Sequence, residues 1–170
     1  LGDGSVILSS RETSTILKID HLYDTPTLSY MIGQESFWEG TGYESYLLEK
    51  EGSFSNTGGQ HSVTYVEDPS LPEGQYYLYL YNNNLGVSES QPDYDWSEIE
   101  GISESTKEGT SHYYRYLVDE KEGTYTLVNS FDVPFSPYVS SAQEVGDNVV
   151  MDSGMAGAFG EYSQNGDPIR

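Results

Sequence analysis

Cysteine is absent from the 170 residues, and basic side chains are scarce: seven Lys and Arg stand against 28 Asp and Glu. Without cysteine there is no disulfide, no thiolate metal site and no cysteine nucleophile. The net charge of −21 argues against nucleic acid and anionic membrane surfaces as partners, because both are bound by a basic face that displaces counterions. Long apolar runs are missing as well. Val6-Ile7-Leu8 and the stretch from Tyr76 to Tyr81 fall far short of the roughly 20 apolar residues that cross a bilayer. Leu1 is followed by no signal-peptide pattern. A P-loop, a Rossmann fingerprint, a Gly-x-Ser-x-Gly elbow and His-Glu-x-x-His are all missing. No segment follows the twelve-residue calcium loop either, so no cofactor and no metal are expected.

What is present is a sheet composition. Sixteen tyrosines against five Phe and two Trp, with 18 glycines, favour strands and turns. Acidity alone would favour disorder, but 14% aromatics can build a core. The expectation is one soluble, acidic, all-β chain of extracytoplasmic type. Strand-like segments bounded by turn residues fall at 5–9, 15–20, 27–32, 61–67, 75–82, 112–119, 125–131, 140–145, 148–153 and 158–162, with no competing 3.6-residue period. The run Tyr76-Tyr77-Leu78-Tyr79-Leu80-Tyr81 has no polar face, which predicts a central strand packed on both sides.

Aligned, these strands form a weak repeat: a strand, a Gly-containing turn, an apolar strand, a loop, and a strand closed by Asp or Asn. The copies run from Gly2 to Asp20, from His61 to Asp119 and from Ala142 to Gly166. Four antiparallel strands repeated at roughly 40–50 residues describe a β-propeller blade. The chain is therefore expected to be a single partial propeller domain over 1–170, with about two and a half blades where a ring needs at least four. Its parts would be a partial blade at 1–36, a loop insertion at 37–60, a blade at 61–135 with a long 85–110 loop, and a partial blade at 136–170. Such a chain is either a fragment of a longer protein or associates with copies of itself, and Leu1 in place of an initiator Met favours the fragment. A short helical turn is expected at 44–50. The 85–110 loop should lie on the surface, with Tyr94 and Trp96 anchoring it to a blade.

The chemical inventory is short. His61 follows Asn56-Thr57-Gly58-Gly59-Gln60 at the entry of a strand, where propeller active sites lie and where glycines let backbone approach a ligand. A histidine there can equally cap a strand. Arg11 ends Val6-Ile7-Leu8-Ser9-Ser10, and its planar fork matches the geometry of sulfate or phosphate. With Glu12 beside it, a surface ion pair is the structural alternative. His112 reads as an exposed strand residue and His21 as a turn residue. Asn82-Asn83-Asn84 reads as a strand end with local side-chain to backbone bonds.

Taken together, Ile7-Leu8-Ser9-Ser10-Arg11 with Ser14-Thr15-Ile16-Leu17-Lys18-Ile19-Asp20, Gly59-Gln60-His61-Ser62 and Tyr79-Leu80-Tyr81-Asn82-Asn83 resemble bacterial arylsulfate sulfotransferases, six-bladed propeller enzymes of the cell envelope. Residues 114–129 and 136–154 resemble that family's later blades in order and spacing. The resemblance implies that an aryl sulfate gives its sulfuryl group to His61 and a phenol then takes it, with Arg11 holding the sulfuryl oxygens. It implies no nucleotide donor and a periplasmic or surface-attached location. The family's two further active-site histidines lie upstream of its arginine. The chain then corresponds to the C-terminal part of the enzyme, inactive by itself. A second reading is a non-catalytic cell-envelope module whose acidic, tyrosine-rich surface binds carbohydrate or protein.

Overall fold

The computed structural model describes residues 1–169, and eleven strands account for most of the regular structure. They are β1 (Val6–Ser10), β2 (Thr15–Asp20), β3 (Thr27–Ile32), β4 (Glu49–Glu51), β5 (His61–Val66), β6 (Gln75–Asn82), β7 (Ser111–Asp119), β8 (Thr124–Val133), β9 (Ser140–Val145), β10 (Asn148–Ser153) and β11 (Ala158–Ser163). A four-residue helix, α1 (Glu35–Trp38), and three short 3₁₀ turns complete the list. The sheets are ordered β1-β2-β3, β4-β8-β7-β6-β5 and β11-β10-β9. All pairings are antiparallel except β4 with β8. The fold is thus nearly all β. Strands β5 to β8 form one four-stranded blade between two three-stranded sheets, and the described residues do not close a ring. No described helix is long and apolar enough to cross a membrane.

Strand β6 explains how the layers stack. Because successive side chains point to opposite faces, Tyr76, Leu78 and Leu80 go one way and Tyr79 and Tyr81 the other. The first set joins Tyr114, Tyr116 and Val118 of β7 in a core with Ile16, Tyr30 and Ile32 of the first sheet. The second joins Tyr113 and Phe131 in a core with Ala142, Val149 and Met151 of the third. The absence of a polar face in this run is thereby accounted for.

Two expectations about the connections change. At 44–50 only Glu44–Tyr46 winds, as a 3₁₀ turn, and the chain then extends as β4. The 85–110 segment is not a bare surface loop: Leu85, Ser88 and Trp96 are buried, and Gly86 donates its N–H to Ser103 O at 2.8 Å. Its aromatic anchor is α1 rather than a blade, with Trp96 and Tyr94 packed on Phe37 at 5.7 and 5.1 Å between ring centroids.

Polar links hold the rim of the first interface. Lys18 Nζ donates to both carboxylate oxygens of Glu120 at 2.7 and 2.8 Å, and Tyr76 Oη donates to Glu120 Oε1 at 2.7 Å. Removing the carboxylate leaves the nearly buried Lys18 ammonium with only Asp20 at 3.6 Å, and leaves the Tyr76 phenol with only Tyr30. Glu120→Ala should therefore cost about 2–4 kcal/mol in urea unfolding. Lys121→Ala, which breaks the exposed Lys121–Glu73 pair, should cost less than about 1 kcal/mol. Equal losses in the two variants would overturn this ranking.

Three Asp-x-Ser turns repeat one geometry. Asp3, Asp68 and Asp95 each accept the N–H of the serine two residues on at 2.9, 2.9 and 3.0 Å, and its Oγ at 2.6 Å. The serine hydroxyl, then the serine amide, hold each carboxyl below the usual aspartate range. A depressed carboxylate contributes stability above its unfolded pKa and loses it as pH falls through the lowered native value. Carboxyl-detected NMR titration should therefore find these three aspartates protonating after the unbonded ones. Those turns should loosen only below the ordinary aspartate pKa of about 3.9.

Candidate active site

Where the apolar part of β6 ends, three consecutive asparagines each gather a different segment. Asn82 Oδ1 accepts Gly58 N at 2.9 Å and Asn84 N at 3.0 Å. Asn83 Nδ2 donates to Ser136 O at 2.7 Å and Ser140 Oγ at 3.0 Å. Asn84, at φ 59°, donates to Gly101 O at 2.6 Å and Thr110 O at 3.0 Å. Only one of these bonds is local. The rest span 17 residues or more, so the run does not simply cap its own strand.

His61, at the start of β5, is set by this gathering. Its Nδ1 lies 2.7 Å from Asn83 Oδ1 and 3.0 Å from Gly59 O. The two acceptors that face Asn83 Nδ2 fix that amide with its oxygen toward the ring, so both neighbours of Nδ1 are acceptors. The proton of the neutral imidazole therefore sits on Nδ1. Nε2 keeps its lone pair and has no hydrogen-bond partner among the described residues. A break in register between His61 and Thr64, with Ser62 at φ 60°, bulges β5 just after the histidine, which itself stays paired with Tyr81. Ser62 Oγ ties the bulge to Ala142 O at 3.1 Å.

The preceding loop locks onto the β1–β2 hairpin. Gln60 is buried, and its Nε2 reaches Thr15 O at 3.1 Å and Ser9 Oγ at 3.2 Å. Gly59 donates to Ser14 Oγ at 2.9 Å and adopts φ 60°. A Cβ at Gly59 would stand 3.0 Å from Leu85 O, so the position favours glycine on two counts. The same Cβ would lie 3.8 Å from Arg11 Cγ and 3.9 Å from Arg11 Nε. Arg11 thus rests against the backbone whose carbonyl holds His61.

Arg11 Nη1 pairs with Glu12 Oε1, and the guanidinium carbon lies 4.9 Å from the centroid of the Tyr138 ring. The other Glu12 oxygen accepts Glu89 N at 3.0 Å. That amide, and then the Arg11 guanidinium, hold the Glu12 carboxyl below its ordinary pKa against the opposing effect of burial. Tyr138 sits in a strained loop. Val139, exposed and β-branched, has φ 55°. Gly154 N donates to Val139 O at 3.0 Å, and a Cβ at Gly154 would fall 2.1 Å from that oxygen. Of the non-glycine residues at positive φ, Ser14, Ser62, Asn84 and Val139 all lie in segments around Arg11 and His61.

The other histidines are elsewhere. His112 bonds Asp132 Oδ1 at 2.9 Å and stacks on Tyr114, while His21 accepts Asp24 N in a tight turn. No three His, Asp or Glu side chains among the described residues come together as metal ligands. A cleft lined by Gly33, Gln34, Leu48, Lys50, Asn56 and Tyr125 includes neither Arg11 nor His61. Sequence reasoning singles out Arg11 and His61 but passes over Asn83 as an orienting group and Tyr138 altogether. The Asn run is visible in the sequence. Nothing in the spacing marks Tyr138.

The fold is nearly all β, and Arg11 and His61 both lie against the Gly59 backbone. The family model described as Arylsulfotransferase (ASST) matches residues 2–169, and the chain belongs to that family. No curated protein matches the chain. At the level of the family, the function is arylsulfate sulfotransferase activity, with aryl sulfates and phenols as substrates.

The tautomer can be tested directly. Asn83→Ala removes one of the two acceptors that hold the proton on Nδ1, a loss of about 1 kcal/mol. Long-range ¹H–¹⁵N spectra of His61 should show the tautomer ratio moving about fivefold toward Nε2–H. An unchanged ratio would mean that Asn83 does not set it.

Proposed function

We propose that the protein moves a sulfuryl group from an aryl sulfate to a phenol through a sulfohistidine on His61, with Arg11 holding the sulfuryl oxygens. The observation that carries this reading is the pair of acceptors on Nδ1, Gly59 O and Asn83 Oδ1, which leaves Nε2 as a ready nucleophile. In the first half-reaction the Nε2 lone pair attacks sulfur. The aryl O–S bond breaks and the aryloxide leaves. The ring then carries sulfonate on Nε2 and a proton on Nδ1, a cationic imidazole that the same two acceptors stabilise. In the second half-reaction a phenol oxygen attacks sulfur, the N–S bond breaks, and the phenol proton passes to solvent or to the departed aryloxide. His61 is returned neutral.

Arg11 supports the same reading. Among the described residues only its Nη1 is paired and Nε is buried, so the terminal nitrogens are the donors that can meet sulfuryl oxygens as charge develops on them. Its approach to Gly59 favours catalysis over a non-catalytic binding module, in which the two side chains would have no reason to share one loop. We place the enzyme outside the cytoplasm, in line with its family. We also read residues 1–170 as one partial propeller domain.

Mass spectrometry after mixing with an aryl sulfate and no acceptor should find a sulfo group on His61, and none in His61→Asn. Arg11→Lys keeps a charge but loses the fork, and should slow formation of the adduct by about 2–4 kcal/mol in barrier. An adduct on another residue, or one that persists in His61→Asn, would refute the assignment.

A further inference from the structure

Arg11 has two partners of different character, a carboxylate in water on one side and an aromatic ring on the other. Glu12 is 43% exposed, and an ion pair that open to solvent is weak. The Tyr138 ring, half-buried, lies under the guanidinium, and among the described residues it engages no other aromatic side chain and its hydroxyl makes no hydrogen bond. The fold nevertheless keeps a costly conformation to put that ring there. Val139 points its side chain into solvent, 66% exposed, from a left-handed backbone that β-branched residues avoid. Three bonds pin the segment: Ser136 Oγ to Tyr138 O at 2.6 Å, Ser140 Oγ to the same oxygen at 3.2 Å, and Gly154 N to Val139 O at 3.0 Å. Asn83, which orients His61, bonds the same loop at Ser136 O and Ser140 Oγ. The Val139 side chain gains no burial from this strain, whereas its neighbour Tyr138 is placed on Arg11.

We infer that Tyr138 is a positioning residue for Arg11 and that Glu12 is a displaceable counterion, so that an arriving sulfuryl group takes Nη1 from Glu12 while the Tyr138 ring keeps the guanidinium in place. The inference rests on the reading of Arg11 as the sulfuryl clamp. Chemistry favours the exchange, since a sulfuryl group offers the fork two or more oxygens, whereas Glu12 meets it through one. The exchange is also coupled to the 85–110 segment. Glu12 Oε2 accepts the Glu89 amide, so a Glu12 that leaves Arg11 must shift or release that bond.

The experiment is an NMR titration of the ¹⁵N-labelled protein with inorganic sulfate at low chloride. In the wild type the Arg11 Nε–H and Glu89 amide signals should move together along one saturation curve. Glu12→Gln should bind sulfate about three- to fivefold more tightly, having lost the competing anion. Tyr138→Leu should bind about three- to tenfold more weakly, and Tyr138→Phe, which keeps the ring, should restore wild-type affinity. If sulfate moves Arg11 while the Glu89 amide stays still and Glu12→Gln binds no tighter, the counterion role is wrong and the clamp reading survives. If Tyr138→Leu binds as the wild type does, the positioning role is wrong. If sulfate never reaches Arg11 in any of these proteins, the clamp reading fails and takes this inference with it. The wild-type titration decides the counterion role even if a variant fails to fold.

Discussion

A strand without a polar face must be covered twice, and everything else in this molecule is arranged around that requirement of β6. Its tyrosines and leucines alternate between two cores, so neither flanking sheet can be removed without exposing one of them. The β1–β3 sheet and the β9–β11 sheet are therefore held at fixed positions on either side of one blade. Tyrosine suits such a strand. It supplies a large apolar ring, and its hydroxyl can reach the rim, as Tyr76 does to Glu120 and Tyr81 does to Ser153 Oγ at 2.8 Å. Tyr116 is the exception, fully buried with an unbonded hydroxyl.

The candidate site grows from the end of the same strand. Once the apolar run stops at Asn82, side chains that can both donate and accept replace ones that can only pack. The asparagines bond the loop at Gly58, the His61 ring and the 136–140 loop to the end of one strand. Rigidity is inherited from the blade, and strain is concentrated where those loops meet. That division of labour suits the role proposed for His61: both acceptors on its ring, Gly59 O and Asn83 Oδ1, belong to buried residues.

Much of this was legible in the sequence because alternation and turn residues carry strong local signals. All ten expected strands are present within a few residues of their expected limits. The three-residue β4, Glu49-Lys50-Glu51, could not be read, since no hydrophobic pattern marks a charged strand that forms only by docking on Thr124–Thr126 of β8. Acidic composition likewise concealed that Leu85 and Trp96 are buried. At the site, the glycines before His61 and the hydroxyl residues before Arg11 were visible as local features. The orienting role of Asn83 was not, because it depends on which loops cross the end of β6. Tyr138 depends on a backbone conformation at Val139 that a β-branched residue gives no reason to expect.

The aromatic cluster on α1 divides the molecule spectroscopically. Both tryptophans of the chain, Trp38 and Trp96, touch Phe37, at 5.5 and 5.7 Å between centroids, whereas the two blade cores contain tyrosine, phenylalanine and aliphatic side chains but neither tryptophan. Light absorbed only by indole is therefore emitted from the insertion, and tyrosine emission comes mostly from the layers beneath it. The protein carries its own two-channel reporter. One channel follows α1, with residues 85–110 docked on it and Trp38 bonded to Thr15 of β2 at 3.0 Å, and the other the tyrosines of the sheets, with no label added to either.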